Sequence, residues 1–247
     1  MVACCNLLVA LLASFLLPCA RCDALVRGIF KVESPLGSPV SGMSLMAADQ
    51  PNTTVCTDAE GKAVLSLPAS RDFVIHGSRA HYQDLYIIGN SGTAPEFNYT
   101  TYMGSRREAE VLARLIGVPY NSSRGYIVVG MDSLLDPTAG LAPSNLVPAI
   151  GATSNVSGIS GSTPFVFVDG ILPVSARTIS AKSSSFVTYP NMEVNVGDAS
   201  AVPPIGQRCV TSPGMTSQPL RVRAYPDAVT VVSFICQNVS TGAVLRT

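Results

Sequence analysis

The residues best suited to catalysis or metal binding in this 247-residue sequence are its two histidines, His76 and His81. They lie five residues apart on or beside a predicted strand, and an odd separation places two side chains on opposite faces of extended backbone. A Zn²⁺ site usually needs about four filled positions, and the nearby carboxylates are Asp72 and Asp84. We therefore predict surface or hydrogen-bonded histidines and no metal. His76, His81 and the adjacent Tyr82 remain the metal-ligand candidates of an alternative interpretation.

Two other stretches contain residue types used in binding or catalysis. Asp58 and Glu60 are carboxylates two positions apart, but Ca²⁺ needs about six to eight oxygen ligands and no further carboxylates cluster there. Ser160 and Ser162 lie in the sequence GISGS, which lacks the Gly-x-Ser-x-Gly register of a strained nucleophile turn. These patterns predict no catalytic residue and no cofactor, so the protein is expected not to be an enzyme.

The charge balance excludes one class of partner. The sequence carries 16 Lys or Arg and 16 Asp or Glu residues, so its formal net charge is zero. Nucleic-acid phosphates are usually met by a clustered basic face, which such a balance argues against. Charged residues make up 13% of the chain, and Ser, Thr, Gly, Pro, Val and Ala are plentiful. That composition is typical of short strands and many turns.

The N-terminus predicts export. Residues 7–18 read LLVALLASFLLP, which is too short for a helix to cross about 30 Å of hydrocarbon. Small residues follow near Cys22, so we interpret residues 1–22 as a secretory signal peptide, with cleavage at Ala24 as an alternative. The run lacks a positive charge at its start, and an uncleaved signal anchor is the competing interpretation. The expected location is extracellular, or membrane-tethered if the anchor is kept.

Cysteine numbers fit an exported protein. Cleavage would leave Cys56, Cys209 and Cys236, an odd number, so one thiol has no partner within the chain. Cys209 and Cys236 both flank apolar strand-like segments near the C-terminus. A bond between them would stabilise the fold by roughly 3–4 kcal/mol through chain entropy. Cys56 is then either a buried small apolar residue, which is favoured because free cysteines are commonly buried, or an exposed intermolecular partner.

Asn-x-Ser/Thr sequons are frequent in the chain. In an organism that glycosylates, their asparagines must lie in exposed loops or on solvent-facing surfaces. The candidate N-glycosylation sites are Asn52, Asn98, Asn121, Asn155 and Asn238.

Short strands dominate the predicted secondary structure before residue 104. The predicted strands are 25–33, 43–47, 52–56, 63–67, 73–76 and 83–88. Asp58 and Gly61 suit a tight hairpin between the third and fourth of these, since Asp bonds its own backbone and Gly accepts positive φ. No helical pattern separates these strands, so the spacing favours a sandwich.

A helix is predicted after residue 104. Ser105 and Glu108 form a capping box, in which each side chain bonds the other residue's backbone amide. Gly117 ends the helix and Pro119 prevents its continuation. The predicted apolar face consists of Ala109, Leu112, Leu115 and Ile116. With one apolar stripe, the helix is expected to pack on a sheet or in a domain junction.

The second half is predicted to be another sandwich. Its predicted strands are 125–132, 165–168, 186–189, 192–196, 220–224 and 229–236, with no elements assigned in the low-charge stretch 134–163. Both faces of the last strand are expected to be covered, because apolar residues occupy both of its alternating sets. The fold class is thus all-β, with tandem Ig- or transthyretin-like sandwiches and one short helix. The predicted divisions are 1–22 (signal peptide), 23–103 (first sandwich), 104–124 (helix and linker) and 125–247 (second sandwich).

Several of these stretches together resemble the carboxypeptidase regulatory-like family of β-sandwich domains, also described as transthyretin-like or prealbumin-like. The sequence GSPVSG at 37–42 matches the family's Gly-x-Pro-x-x-Gly loop, and Thr57, Asp58 and Gly61 match its Thr-Asp-x-x-Gly hairpin. The resemblance covers residues 25–88 and is specific for the fold, not for an activity. It implies a fold that serves as a scaffold or adhesion module. The second half is similar more loosely, and its cysteine-containing region resembles the disulfide-bearing final strands of secreted relatives.

The resemblance brings three chemistries into consideration. Related dioxygenases bind iron through two tyrosines and two histidines, but their His-x-His pattern is absent here. Related hydroxyisourate hydrolases end in Tyr-Arg-Gly-Ser, whereas this chain ends in VLRT. Related adhesin repeats form Lys–Asn isopeptide bonds, for which Lys31 and Asn90 would be the pair and Glu60 or Asp84 the acidic helper. Ordinary sandwich-surface side chains are the favoured interpretation of those four residues.

The function predicted from the sequence is a secreted, non-catalytic binding, adhesion or scaffold protein. Its expected partner is an extracellular protein or carbohydrate, contacted through loops such as 134–163; it would meet a membrane only through the signal peptide during export. One alternative is an extracellular metal-dependent enzyme that uses His76, His81 and a tyrosine. Another is a wall or matrix component in which Cys56 links chains by disulfide bonds.

Overall fold

The structure, a computed structural model, describes residues 24–34, 37–50, 52–136, 141–169 and 172–239. Within these ranges the chain consists of β-strands, a single α-helix and one short 3-10 helix. The prediction of an all-β sandwich protein with one short helix is therefore confirmed. The predicted signal peptide, residues 1–22, lies outside the described residues.

The strands fall into two groups on either side of the helix. The first group is β1 (Leu25–Glu33), β2 (Ser44–Ala47), β3 (Thr54–Cys56), β4 (Lys62–Pro68), β5 (Asp72–Ser78), β6 (Asp84–Asn90) and β7 (Glu96–Tyr102). Helix α1 (Arg106–Leu115) follows. The second group is β8 (Gly125–Leu134), β9 (Leu146–Pro148), β10 (Thr153–Ser157), β11 (Phe165–Val168), β12 (Leu172–Ser175), β13 (Phe186–Met192), β14 (Val196–Val202), β15 (Gln207–Ser212), β16 (Leu220–Arg223) and β17 (Ala228–Asn238).

One large sheet runs through both halves of the molecule. Its strand order is β12-β11-β13-β8-β17-β6-β5-β2-β3, with β15 paired to β17 and β9 to β8. Strand β17 lies between β8 and β6 and is parallel to both, while β15 pairs with its C-terminal part in antiparallel fashion. The last described strand therefore joins the two halves edge to edge.

The two hydrophobic cores lie on opposite faces of this sheet. In β17, Val229 and Val231 pack into the core around Phe30, whereas Val232 and Phe234 pack into the core of the second half. Successive strand residues point to opposite faces, so β17 contributes to both cores. The small sheet β4-β1-β7 covers the core on one face, and the small sheet β10-β14-β16 covers the core on the other. Each small sheet therefore also lies next to the part of the large sheet that belongs to the other half. We call the space between the two an inner corner.

The turn at residues 58–61 has the predicted chemistry but does not form the predicted hairpin. Asp58 Oδ1 accepts hydrogen bonds from the backbone amides of Glu60 (2.9 Å) and Lys62 (2.8 Å). Gly61 has φ +74°, and a Cβ there would lie 2.4 Å from the carbonyl oxygen of Val32. However, β3 pairs with β2 and β4 pairs with β1. The hairpin prediction is wrong because this turn carries the chain from one sheet to the other.

Helix α1 begins as predicted but packs through a different face. Ser105 Oγ accepts from the amide of Glu108 (3.2 Å), and Glu108 Oε2 accepts from the amide of Ser105 (2.6 Å). The buried residues of the helix are Ala109 and Ala113, while Leu115 is 64% exposed. The predicted apolar face is therefore wrong at Leu115, since small side chains carry the packing of this helix. Of the described helices, none has the length and apolar character needed to span a bilayer.

The strand predictions for the second half are confirmed except at residues 192–196. Strand β13 ends at Met192 and β14 begins at Val196, so those residues mostly form a connection. The unassigned stretch 134–163 contains β9, β10 and a 3-10 helix at Pro143–Asn145 in its described part. Strand β17 is buried on both faces along most of its length, as expected.

Candidate functional site

A stack of aromatic side chains lies in the inner corner between the first half and the small sheet β10-β14-β16. His76 and Tyr86 are register partners on β5 and β6, and their ring centroids are 4.8 Å apart at 21°. Tyr225 follows β16 and lies on Tyr86, with centroids 3.7 Å apart at 9°. The guanidinium carbon of Arg223 lies 5.3 Å from the Tyr225 centroid. The ring faces contact each other, so this tyrosine stack joins the two halves.

The predicted metal-ligand candidates are spread over this corner and the neighbouring turn. Nε2 of His76 lies 3.1 Å from Oδ2 of Asp84. His81 is exposed in the turn before β6 with φ +69°, where its carbonyl oxygen accepts from the amide of Arg106. The Arg79 guanidinium lies 4.9 Å from the Tyr82 ring centroid. No group of three or more His, Cys, Asp or Glu side chains in the described part of the chain is arranged to hold a metal ion.

Three polar side chains fasten helix α1 and the linker to the second half. The Tyr120 hydroxyl donates to Oδ1 of Asp227, and Nε of Arg106 lies 2.8 Å from the other carboxylate oxygen. The Asp227 amide donates to the carbonyl of Arg124 (3.0 Å). Burial, together with the bond to Asp227, raises the pKa of Tyr120 well above its usual range. The hydroxyl therefore stays protonated at neutral pH and acts as a structural donor. Sequence reasoning missed these three residues, which are far apart in the chain.

Two open depressions lie elsewhere on the described surface. One, of about 540 Å³, lies beside α1 and is lined by residues that include Glu110, Arg114 and Tyr120. The other, of about 450 Å³, lies on the small sheet of the second half and includes Asp198 and Gln218. The Gln218 amide already bonds the backbone N–H and carbonyl of Ala201 at 2.7 and 2.8 Å.

The predicted disulfide forms, whereas the remaining cysteine is exposed and not buried. Cys209 and Cys236 are register partners on β15 and β17, both are buried, and they form a disulfide. That prediction is confirmed. Cys56 is a free, exposed cysteine at the end of edge strand β3. The expectation that Cys56 is buried is wrong, because at this edge of the large sheet its side chain faces solvent.

The sequon asparagines share exposure to solvent. Asn98 and Asn155 lie within strands, and Asn52 and Asn121 lie in turns. Asn238 ends β17, the last described strand. Each is therefore placed where an attached glycan would extend into solvent.

The two ends of the considered isopeptide bond lie on different sheets. Nζ of Lys31 lies 2.5 Å from Oε1 of Glu33 on the small sheet. Asn90, at the end of β6, donates to Asp72 Oδ1 at 2.8 Å and accepts from the amide of Gly92 at 2.9 Å. Both side chains have other partners, so the structure favours the ordinary interpretation of these residues.

Comparisons with known proteins give likenesses among solved structures. No family model matches the chain, and no curated protein matches its sequence. GBS52, the minor pilin of Streptococcus agalactiae, is 9% identical with a TM-score of 0.29, covering 87% of this chain and 97% of that one. The Bacillus anthracis TIE protein is 10% identical with a TM-score of 0.26, covering 87% of this chain and 34% of that one.

A third likeness is to a variant of the shaft pilin SpaA from Lactobacillus rhamnosus GG. It is 9% identical with a TM-score of 0.26, and the match covers 85% of this chain and 98% of that one. At such identities and TM-scores these likenesses carry no argument about function. The resemblance of residues 25–88 to the carboxypeptidase regulatory-like family stays a prediction.

Proposed function

We propose that this chain is an exported, non-catalytic protein that binds or organises extracellular components. Residues 23–103 and 125–247 would act as two sandwich units, joined by the helix and linker at 104–124. The observation that carries the proposal is the junction itself, where β17 completes one sheet shared by both halves. Such a joint holds surfaces of both units in a fixed relation, which is what a scaffold or adhesion module requires.

The proposal that the chain is not an enzyme is supported by how its reactive groups are used. His76 pairs with Asp84 and stacks on Tyr86. Tyr120 and Arg106 are both bonded to Asp227. A general base or nucleophile must reach a substrate; here the Tyr86 ring lies on the face of His76, and Tyr120 and Arg106 are both bound to the Asp227 carboxylate.

Export is supported by the cysteine chemistry and the surface. Disulfides form and persist mainly in oxidising compartments, and the bond between Cys209 and Cys236 is buried in the core of the second half. We propose that residues 1–22 are a signal peptide and that the protein is extracellular. In an organism that glycosylates, the five exposed sequon asparagines are the proposed glycan sites. The proposed partner is an extracellular protein or carbohydrate. An uncleaved anchor would instead tether the same fold to a membrane.

One experiment tests export and the alternative of a metal-dependent enzyme together. The full chain is produced in secretory cells, and the medium and cell fractions are analysed by intact mass under reducing and non-reducing conditions, with metal content measured on the purified protein. We expect a medium fraction that has lost its N-terminal segment, contains one intramolecular disulfide and carries no stoichiometric metal. Retention in the cell with reduced Cys209 and Cys236 would contradict export. Stoichiometric iron or zinc would favour the alternative of a metal-dependent enzyme.

A second candidate function is favoured by the exposed position of Cys56. A free thiol at a sheet edge is accessible to a thiol of another chain, which suits a disulfide-linked wall or matrix component. Non-reducing gels of the exported protein would then show oligomers that vanish in Cys56→Ser and persist in Ser44→Ala, a change on the neighbouring strand. A monomeric wild-type protein in an oxidising medium would exclude this candidate.

A further inference from the structure

The junction of the two halves brings two phenol rings into direct contact. All eight tyrosines of the chain lie in the described ranges. Among the ring contacts of the described residues, the one between two tyrosines joins Tyr86 and Tyr225, with centroids 3.7 Å apart and planes 9° from parallel. Tyr102, which is 48% exposed, instead has Phe186 as its ring neighbour at 6.4 Å. The Tyr86–Tyr225 pair is therefore the place where the described fold presents one phenol to another.

The stacked geometry brings the ortho carbons of the two rings together. The six carbons of each ring lie at one distance from its centroid, and the two ortho carbons flank the carbon that carries the hydroxyl. In rings stacked this closely and this nearly parallel, an ortho carbon of Tyr86 lies opposite or next to one of Tyr225, whichever way the hydroxyls point. The ortho carbons of a phenoxyl radical carry much of its unpaired electron. Because the fold holds them in contact, the pair is placed for carbon–carbon coupling.

The surroundings position both rings and leave them accessible. Tyr86 is on β6 within the large sheet, and its ring also contacts that of His76 at 4.8 Å. Tyr225 lies on the short connection between β16 and β17, so its ring is less constrained by the sheet when a bond forms. Both tyrosines are half-buried, which leaves part of each ring open to a diffusible oxidant. The chain has no tryptophan, the side chain that competes most readily with tyrosine for one-electron oxidation.

From this contact we infer that Tyr86 and Tyr225 are a site of oxidative cross-linking, at which an extracellular peroxidase and hydrogen peroxide join the two halves through an intramolecular dityrosine. Each phenol loses one electron and its hydroxyl proton, and these two electrons and two protons reduce one hydrogen peroxide to two waters. The two phenoxyl radicals form one bond between ortho carbons, and the ortho hydrogens move to the oxygens, which restores both phenols. The inference rests on the proposed extracellular location and adds a covalent modification to it.

The dityrosine bond connects segments that the disulfide does not. Cys209 and Cys236 both belong to the second half. A bond between Tyr86 and Tyr225 instead runs from β6 of the first half to the residues that follow β16 of the second. A cross-link between residues far apart in sequence removes conformational freedom from the unfolded chain, and more of it for a longer loop. The modification therefore stabilises the sheet that both halves share against their separation.

The test uses the purified, disulfide-bonded protein with Cys56 alkylated, so that this thiol neither consumes oxidant nor links chains. Dilute protein is treated with a haem peroxidase and hydrogen peroxide, and is then analysed by dityrosine fluorescence, intact mass and peptide mapping. We expect a monomer that has lost two hydrogen atoms, yields a cross-linked peptide pair containing Tyr86 and Tyr225, and unfolds at a higher urea concentration. An unchanged mass would overturn the inference. Dimers without this internal bond, or a bond from Tyr86 to His76, would also overturn it.

Substitutions by phenylalanine locate the reaction without removing a ring. Tyr86→Phe and Tyr225→Phe keep both stacked rings and lack one phenol, so each should abolish the internal cross-link in a protein that still folds. Tyr102→Phe removes an exposed phenol elsewhere and is the matched control, in which the yield should be unchanged. An internal dityrosine that persists in Tyr225→Phe, or is lost in Tyr102→Phe, would overturn the inference. Export is measured without the oxidant, so an exported protein that forms no internal bond would overturn the cross-link alone.

Discussion

Tyr86 and Tyr225 lie face to face across the junction of the two halves, with ring centroids 3.7 Å apart and planes 9° from parallel. The residues are far apart in sequence and belong to different halves of the chain. Aromatic pairs contribute about 0.5–1.5 kcal/mol beyond the area they bury. This contact therefore couples the stability of one half to that of the other.

Removal of the Tyr225 ring should weaken the contact between the two halves. We expect Tyr225→Ala to lower the free energy of unfolding by about 1–2 kcal/mol, since the stacking and part of the buried area are lost. Urea denaturation of this variant, Tyr86→Ala and the double variant gives the coupling energy, expected near 1 kcal/mol. Leu115→Ala, at an exposed helix position, is the control with little change. Additive effects of the two tyrosine changes would contradict a direct coupling.

Asp227 should hold the helix against the second half. Asp227→Asn keeps a residue type that tolerates the φ of +50° at this position but removes the charge that binds Arg106 and Tyr120. We expect a loss of about 1–2 kcal/mol in unfolding free energy and a fall in the pKa of Tyr120, because its charged neighbour is gone. Absorbance titration of tyrosine measures the pKa.

The same variant should also expose helix α1 to protease. Trypsin is expected to cleave after Arg106, Arg107 or Arg114 faster in Asp227→Asn than in the wild-type protein. Asp198→Asn removes a carboxylate paired with Arg221 on another surface and is the matched control. Wild-type cleavage rates in Asp227→Asn would mean that other contacts fasten the helix.

Asp132 should make stability depend on pH in the absence of any ligand. Its pKa is about 6 in the folded protein and about 4 for an ordinary Asp, so the folded state binds the proton more tightly. This contribution is present below about pH 4 and is lost as the pH rises through 6, with an upper limit of about 2–3 kcal/mol. Urea denaturation between pH 4 and 8 should show a decline in the wild-type protein that Asp132→Asn reduces. A decline of equal size in both proteins would assign it to other groups.

The disulfide should contribute substantially and resist reduction. Its cysteines are 27 residues apart, for which chain entropy gives about 3–4 kcal/mol. We expect Cys209→Ala with Cys236→Ala to lower the unfolding free energy by about that amount. Both sulfurs belong to buried residues, so dithiothreitol should reduce the bond rapidly only in the presence of denaturant, while Cys56 reacts with thiol reagents in the native protein. Rapid reduction of the native bond, followed by mass, would contradict this placement.

Local features were predictable because their signals lie within a few residues. The capping box at Ser105 and Glu108 and the positive φ of Gly61 follow from side-chain chemistry at fixed spacing. Strand β7 was also within reach, since Phe97, Tyr99 and Thr101 alternate with more exposed residues. The strands predicted from the sequence do not include residues 96–102, although this alternation is the signal of a half-buried strand.

Long-range relationships were not predictable from one sequence. Nothing in the residues around Tyr225 indicates that it stacks on Tyr86, and the turn at Asp58 is compatible with either a hairpin or a crossing between sheets. Asp132 is the last residue of the predicted strand 125–132, and nothing in the neighbouring sequence indicates that β8 continues to Leu134 and leaves this carboxylate largely buried. In each case the partner lies on a distant segment, and register and sheet membership decide the contact.

The position of β17 has a consequence for the order in which the protein folds. The chain is synthesised from its N-terminus, yet β6 and β8 acquire the neighbour they share only when residues 228–238 have left the ribosome. Until then both strands keep unpaired edges, and the half of the disulfide on β17 is missing. Non-local pairing of this kind is slow. Without residues 228–238, neither β6 nor β8 has this shared neighbour, so the two halves can form a common sheet only after the last described strand has been made.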